Sequence, residues 1–71
     1  METIQGYVDH IIYRNTENGY TVLVLVCEEE ELTCVGIFSD IVEGENIEAK
    51  GEFTEHPVYG HQFKVSSFEE K

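Results

Sequence analysis

The sequence predicts an all-β fold class, a small antiparallel barrel made of five short strands. Apolar and polar residues alternate along several segments, which is the pattern of strands with one buried face. Clusters of turn-forming residues separate these segments, and the longest gap has room for at most one short helical turn. Because a chain of 71 residues can build only one thin core, we expect a single domain, residues 1–71.

The first predicted strand, residues 3–14, is long and rich in β-branched and aromatic residues. Its alternation changes phase at the adjacent Ile11 and Ile12, which predicts a bend or a bulge. Gly6 is expected where the curving strand leaves no space for a side chain. This strand should therefore wrap around the barrel.

A turn at Asn18 and Gly19 is predicted to lead into the second strand, because Asn-Gly is a strong hairpin signal. The second strand, residues 20–27, is apolar on both faces, which is typical of a strand covered on both sides or contributing to two layers. It should be the most buried strand. The four glutamates at 28–31 repel one another, so a solvated turn is expected there.

The two cysteines are predicted to be reduced. A turn centred on Glu30 and Glu31 would place Cys27 and Cys34 opposite each other on adjacent strands, and registers differing by two would not. The chain shows no export signal and no apolar run of membrane-spanning length, so we expect a cytoplasmic protein. Because the cytosol keeps thiols reduced, both cysteines should pack as small apolar side chains.

The third strand is predicted at 32–38, where Gly36 indicates a bulge or a close approach to a neighbour. Residues 39–45 are too short for more than one helical turn, which Ser39 or Asp40 could cap. A fourth strand follows, with one face expected to be buried: Ile47, Ala49, Gly51 and Phe53.

Residues 47–65 are predicted to form a hairpin around which the other strands are organised. The fourth and fifth strands flank the turn-forming sequence HPVYG. Phe63 and Val65 are expected in the core, and Phe68 should return to it near the end of the chain. Side chains at the tip of the hairpin, with two cations, form the candidate interaction surface: His56, Tyr59, His61, Lys64 and Arg14.

Five strands with these turns predict a partly open Greek-key barrel of the OB type. An SH3-like barrel is the alternative, because strand count and order look similar in the two folds and the sequence does not fix the closure. In a barrel this small, most aromatic rings are expected to fill the core rather than to offer a stacking surface: Tyr7, Tyr13, Tyr20, Tyr59 and Phe63.

The charge of the chain counts against tight, independent binding to nucleic acids. Fifteen acidic and four basic side chains give a formal net charge of -11, and the resulting field repels phosphate. The sequence contains no glycine-rich phosphate loop, and no histidine or cysteine pair has a recurrent metal-binding spacing. We therefore expect no catalytic residue, no metal site and no cofactor in this chain.

Two segments of the chain carry a family resemblance. The opening IQGYVDHIIYRNTENGYTVLVLV and the late GEFTEHPVYGHQFKVSSFEE resemble the amino-terminal domain of RecD-like ATP-dependent DNA helicases, the RecD/TraA family related to the exodeoxyribonuclease V alpha subunit. The resemblance covers residues 4–70 or so. The matching positions are Gly6, Val8, Asn18, Gly19, Gly51, Glu52, His56, Pro57, Tyr59, Gly60, Gln62 and Phe63.

The resemblance implies a five-stranded OB-like domain that precedes a superfamily 1 motor moving 5′ to 3′ on DNA. ATP and magnesium would belong to the motor of that parent protein, since this chain carries no helicase motif. Relatives often have Arg or Lys where this chain has His61, which weakens the case for direct phosphate contact by the hairpin.

Two functions from different classes follow from these expectations. The first is a non-catalytic accessory domain that docks or positions the motor of the helicase, and that assists engagement of single-stranded DNA or of a single-strand-binding protein. The alternative is a stand-alone acidic module for protein–protein interaction, without nucleic-acid binding. The oligomeric state is left open by the sequence.

Overall fold

The computed structural model describes residues 1–38, 40–58 and 60–71. These residues form five strands and no helix, which confirms the all-β fold class. This part of the chain accordingly contains no helix that is long and apolar enough to span a bilayer. The strands are β1 (Glu2–Arg14), β2 (Tyr20–Cys27), β3 (Glu30–Ile37), β4 (Asn46–His56) and β5 (Gly60–Glu70).

The strands close into a barrel in the order β1-β2-β3-β5-β4, and β4 returns to β1. Neighbouring strands are antiparallel except for β3 and β5, whose parallel seam places Cys34 beside Phe63 and Val35 beside Lys64. A five-stranded Greek-key barrel of this order has the OB fold. The structure therefore selects the OB fold over the SH3-like alternative, and the barrel that was expected to be partly open is closed.

The long first strand bends so that it can pair with two neighbours. Its first half pairs with β4 and its second half with β2. The register with β2 shifts between Ile11 and Tyr13, at the phase change of the sequence, and this confirms the predicted bulge. At Gly6 a Cβ atom would collide with the backbone carbonyl of Val26, so the curving strand passes its neighbour only because it has a glycine there.

The predicted reversal at Asn18 and Gly19 is confirmed, within a connection formed by residues 15–19. The backbone N–H of Gly19 donates to the Asn15 carbonyl at 2.8 Å. The Asn15 side-chain oxygen accepts the N–H of Glu17 at 2.9 Å. Side-chain and backbone bonds thus hold the loop that joins β1 to β2.

The β2–β3 turn forms at Glu28 and Glu29, earlier than a turn centred on Glu30 and Glu31. Both turn residues have positive φ, 49° and 72°, as required in the two-residue turn whose twist matches that of the flanking strands. Glu30 and Glu31 belong to β3 and not to the predicted turn, so the glutamate run is divided between the turn and the strand.

This register separates the two cysteines. Cys27 lies across from Glu30, Cys34 lies across from Leu23, and both thiols are free. Burial raises the pKa of the Cys34 thiol to about 12. Burial also raises the pKa of Cys27, with a further contribution from the charges of Glu28 and Glu30. Because the thiolate is disfavoured at both positions, neither cysteine has the environment of a reactive nucleophile.

Residues 40–45 run along β1 and do not form the helical turn that the sequence allowed. Ser39, one of its two candidate caps, lies outside the described residues. The backbone N–H of Val8 donates to the Glu45 carbonyl at 2.9 Å, and the Gly44 N–H donates to the Val8 carbonyl at 2.7 Å. Two further bonds tie the loop to β1, from the Ile11 N–H to the Glu43 carboxylate at 3.0 Å and from the Arg14 guanidinium to the Ile41 carbonyl.

The core fills the interior of the barrel with side chains from every strand and from the β3–β4 loop. Phe68 packs against this core and its ring centroid lies 4.9 Å from that of Phe38, so its predicted return to the core is confirmed. The predictions for Phe63 and Val65 are confirmed as well. The buried cluster comprises Val8, Leu23, Leu25, Cys34, Phe38, Ile41, Ile47, Ala49, Phe63 and Val65.

Phe53 differs from the prediction that placed it on the buried face of the fourth strand. Phe53 is 39% exposed, because the β4–β5 hairpin extends past the end of the barrel at this position. One edge of the ring still meets Phe63 in a T-shaped contact with centroids 4.9 Å apart. The other neighbour is His61, whose ring stacks on Phe53 with centroids 5.2 Å apart. Phe53 thus forms the rim of the core.

Carboxylates crowd together where β5 ends. The charge of Glu45 raises the pKa of Glu70 above its ordinary value of 4.5, and a hydrogen bond between the two side chains and the charge of Asp40 act in the same direction. Since the folded-state pKa is raised, this group contributes stability that is fully present below the unfolded pKa. That contribution is lost as the pH rises through the folded pKa.

We therefore expect Glu70→Gln to raise the melting temperature at pH 7 and to leave it nearly unchanged at pH 4, where Glu70 already holds a proton. Thermal denaturation of both proteins at the two pH values measures this difference. Glu17→Gln removes the same charge from the 15–19 loop and serves as the control for net charge. An equal gain for both variants at pH 7 would contradict the local repulsion.

Candidate functional site

The outward faces of β2 and β3 form the floor of an open groove with a volume of about 520 Å³. The residues of β1 and β2 that lie next to the 15–19 loop bound the groove on one side. The β4–β5 hairpin bounds it on the other side. We call this surface the β2–β3 groove. It is lined by Ile12, Tyr13, Tyr20, Val22, Thr33, Val35, His56 and Gln62.

The groove exists because β2 is apolar on both faces while the barrel has a single layer. Leu23 and Leu25 point into the core and are fully buried. Val22 alternates with them, lies across from Val35 on β3, and lines the groove. The prediction that β2 is the most buried strand is confirmed. The described residues form a single barrel and provide no second layer over the outer face of this strand. Val24 and Val35 on the outer faces of β2 and β3 are only 7% and 8% exposed, so the open part of the surface is the groove itself, which makes it a candidate interaction site.

Two tyrosines stand at the end of the groove nearest the 15–19 loop. Tyr13 is 51% exposed and Tyr20 is 39% exposed. Tyr7, on another part of β1, is 43% exposed. The expectation that most aromatic rings fill the core is therefore wrong for these three residues. Aliphatic residues and phenylalanines occupy the small interior, and the tyrosine hydroxyls remain in water.

The β4–β5 hairpin contributes His56 and Gln62 to the opposite wall. The Nδ1 atom of His56 accepts the backbone N–H of Val58 at 3.1 Å, a bond that orients the imidazole and closes the turn. Gln62 is only 6% exposed although it lies next to the groove, while its neighbour Phe63 points into the core. The hairpin therefore presents polar side chains to the groove on one face and packs the core with the other.

The sequence-predicted candidate residues separate into different environments. His56 lines the groove. Lys64 is on the same face of β5 as Gln62, where it lies beside Val35 of β3 and across from Glu52 of β4. His61 is on the other face of the hairpin, stacked on Phe53. The remaining two candidates are not in the groove: Arg14 donates to the Ile41 carbonyl, and Tyr59 lies outside the described residues.

The cations of the described chain are distributed away from the groove, with one exception. Lys71 lies 3.9 Å from a carboxylate oxygen of Glu48, and Lys50 pairs in register with Thr3 and Ser67. Lys64 brings a positive charge to the edge of the groove, where Glu52 lies directly across from it. The described residues that line the groove include no carboxylate, Lys or Arg, and Lys64 and Glu52 face each other at its edge, on a protein whose net charge is -11.

The chemistry available in the groove is that of reversible binding. The apolar floor, two phenol rings, an imidazole and a carboxamide can bury apolar groups, stack on planar groups and form hydrogen bonds. Within residues 1–38, 40–58 and 60–71 no group of three or more His, Cys, Asp or Glu side chains could hold a metal ion.

Gln62 and Val35, which line the groove, were not among the predicted candidate residues, because their alternation is that of any barrel strand. The signal that could have revealed them is the second apolar face of residues 20–27. A chain of this length cannot supply a second layer to cover that face. The strands next to it therefore line the groove, although Val35 and Gln62 are themselves largely buried.

Comparison with known protein families gives a match over the whole chain. Residues 1–71 match the family described as ATP-dependent DNA helicase YrrC, OB-fold domain. This description fits both the strand order of the barrel and the resemblance noted from the hairpin and the opening strand.

Proposed function

Because the chain belongs to the OB-fold domain family of the ATP-dependent DNA helicase YrrC, we propose that it is a non-catalytic accessory domain that docks or positions the motor of a RecD-like 5′–3′ DNA helicase. The single observation that supports docking is the open β2–β3 groove. An apolar floor flanked by exposed tyrosines is the kind of surface that a folded partner buries. ATP and magnesium would act in the motor, and we expect the assembly to be cytoplasmic.

The charge distribution favours a protein partner over DNA as the main occupant of the groove. A protein that binds DNA strongly neutralises several phosphates with Lys and Arg side chains. Here Lys64 stands at the groove edge across from Glu52, and Arg14 is engaged with the Ile41 carbonyl. The net charge of -11 instead complements a basic protein surface.

Assistance with single-stranded DNA is the second proposed function, and the positions of Tyr13 and Tyr20 favour it. OB folds bind oligonucleotides on the face of strands 2 and 3, between the first and last hairpin loops. Both rings are exposed in that region and could stack on bases. A single-strand-binding protein on the DNA is a further candidate partner, and the stand-alone acidic module is the alternative.

Two binding measurements on the isolated domain test these proposals. The motor polypeptide of the same helicase, supplied in trans, should be retained by the immobilised domain. Fluorescence anisotropy with a labelled single strand of about 12 nucleotides should give a dissociation constant weaker than about 10 µM at physiological salt, falling further as salt rises. Sub-micromolar DNA binding that persists above about 200 mM salt would contradict the preference for a protein partner.

A tyrosine pair offers a matched control for the role of the groove. Tyr13→Ser combined with Tyr20→Ser should weaken retention of the motor by about tenfold or more, because both rings leave the contact surface. Tyr7→Ser removes an equally exposed ring outside the groove and should have little effect. Failure of the wild-type domain to retain the motor at all would leave the stand-alone module as the better description.

A further inference from the structure

Two polar side chains are buried in the described chain, and they differ in how their hydrogen bonds are satisfied. The Thr21 hydroxyl donates to the Gly19 carbonyl at 3.0 Å. Gln62 is only 6% exposed. Its carboxamide has no hydrogen-bond partner among the residues that the structure describes. A fully sealed polar atom without a partner does not occur in that part of the chain. The Gln62 carboxamide must therefore reach solvent through the groove that it lines.

A carboxamide in this position lowers the stability of the free domain. Its donor and acceptor keep only the solvent contact that the groove allows and gain no bond to the described residues, which costs part of the free energy of a buried polar group. An apolar side chain of similar size would pack against Val35 without that cost. A group that weakens the free fold and faces a binding groove is typical of a residue kept for recognition.

We propose that Gln62 is the specificity-determining hydrogen-bonding residue of the β2–β3 groove, and that its carboxamide pairs with the backbone of an extended basic peptide segment of a partner protein. This proposal rests on the proposed function of the groove as a docking surface. A carboxamide offers one acceptor and two donors, so it can bond both the C=O and the N–H of a peptide unit.

The remaining features of the groove fit an extended basic segment. Successive side chains of an extended chain point to opposite sides, so an apolar residue can lie on Val22 and Val35 while the next residue points away. The faces of Tyr13 and Tyr20 can contact Lys or Arg side chains through cation–π interactions. The net charge of -11 attracts such a segment and repels an acidic one.

The first test needs no ligand. Gln62→Leu should raise the melting temperature of the domain by about 4 °C, because a largely buried carboxamide with no partner among the described residues is replaced by an apolar side chain. Thr21→Val is the matched control, since it removes a buried polar group that has a partner, and it should lower the melting temperature. A lower melting temperature for Gln62→Leu would show that the carboxamide has a structural role and would overturn the proposal.

The second test uses three defined probes, which are a synthetic peptide of alternating Lys and Val, its counterpart of alternating Glu and Val, and oligo-dT. In two-dimensional NMR spectra the side-chain amide of Gln62 should shift with the Lys peptide and with neither other probe. Gln62→Leu should weaken binding of the Lys peptide about tenfold, as expected for two lost hydrogen bonds. A response to oligo-dT alone, or unchanged peptide affinity in the variant, would overturn the proposal.

Motor retention separates this proposal from the function on which it rests. If the Tyr13 and Tyr20 variant loses the motor and Gln62→Leu keeps it at wild-type affinity, the groove docks the motor but Gln62 does not determine specificity. If both variants keep the motor, docking through the groove itself is wrong. If both lose it and the folded state of each is intact, both proposals stand.

Discussion

Replacing Phe63 by alanine is expected to destabilise the domain by about 3 to 5 kcal/mol, the range for deleting a buried phenylalanine ring. Phe63 is 0% exposed and lies at the seam where β5 meets β3 beside Cys34. The cavity would open at the position where the barrel closes. Small domains have about 5 kcal/mol of stability at the low end, so much of the variant should be unfolded at room temperature. Urea denaturation followed by circular dichroism measures the loss.

Phe53 provides the matched control for this prediction. It is the cross-strand partner of Phe63 and has the same side chain, but it is 39% exposed at the rim of the barrel. We expect Phe53→Ala to cost about 1 kcal/mol, because the substitution removes a ring that is only partly buried, together with its contacts to Phe63 and His61. Equal losses for the two variants would contradict the placement of the core boundary between them.

The second large effect is expected for Gly51→Ala. A Cβ atom at this position would lie far inside van der Waals contact with the backbone carbonyl of Lys64 and 3.0 Å from the Cα atom of Val65. Both obstacles are main-chain atoms of the paired strand, so only a displacement of β5 could relieve the collision. We expect a loss of about 3 kcal/mol or more, at the upper end of the range for overpacking. Thermal denaturation would record it.

Glu52 supplies the control for the glycine substitution. It is the next residue of β4, and its side chain is exposed. Glu52→Ala should change the stability by less than about 0.5 kcal/mol, as is usual for surface positions. A similarly small effect of Gly51→Ala would mean that β4 and β5 approach each other less closely than the structure indicates.

Local patterns along the chain were sufficient to predict the strands and most turns. Alternation located Ile47 and Ala49 on the buried face, and the Asn-Gly pair located the reversal before β2. The β3–β5 seam was outside the reach of such patterns. Parallel pairing between strands distant in sequence leaves no local signal, so the sequence could not decide how the barrel closes.

The candidate site was only partly predictable for a related reason. His56 was selected because it lies at a turn, and it does line the groove. Tyr13 and Tyr20 were expected in the core because an aromatic ring gives the same apolar signal whether a strand face is covered or open. Which face of β2 is left open depends on the number of layers, and that is a property of the assembled barrel.

The turn at Glu28 and Glu29 shows a different limit. Two-residue turns with positive φ favour Asn and Gly, and a glutamate run gives no such signal. Pairing of the apolar residues of β2 with those of β3 fixes the register, as when Val22 meets Val35. The turn then takes whatever residues remain between the strands.

The pairing of β2 with both β1 and β3 also determines whether the domain can aggregate when the barrel opens. Residues 21–26, TVLVLV, have high β propensity and neither charge nor proline, which is the composition of segments that assemble into cross-β fibrils. In the folded domain both backbone edges of this segment are occupied, by β1 and by β3, so it cannot act as a template for another chain. The glutamates at 28–31 follow it after Cys27 and repel a second copy in the unfolded state. Resistance to aggregation should therefore depend on barrel closure and on this acidic run together, and light scattering should rise most when Phe63→Ala is combined with neutralisation of those glutamates.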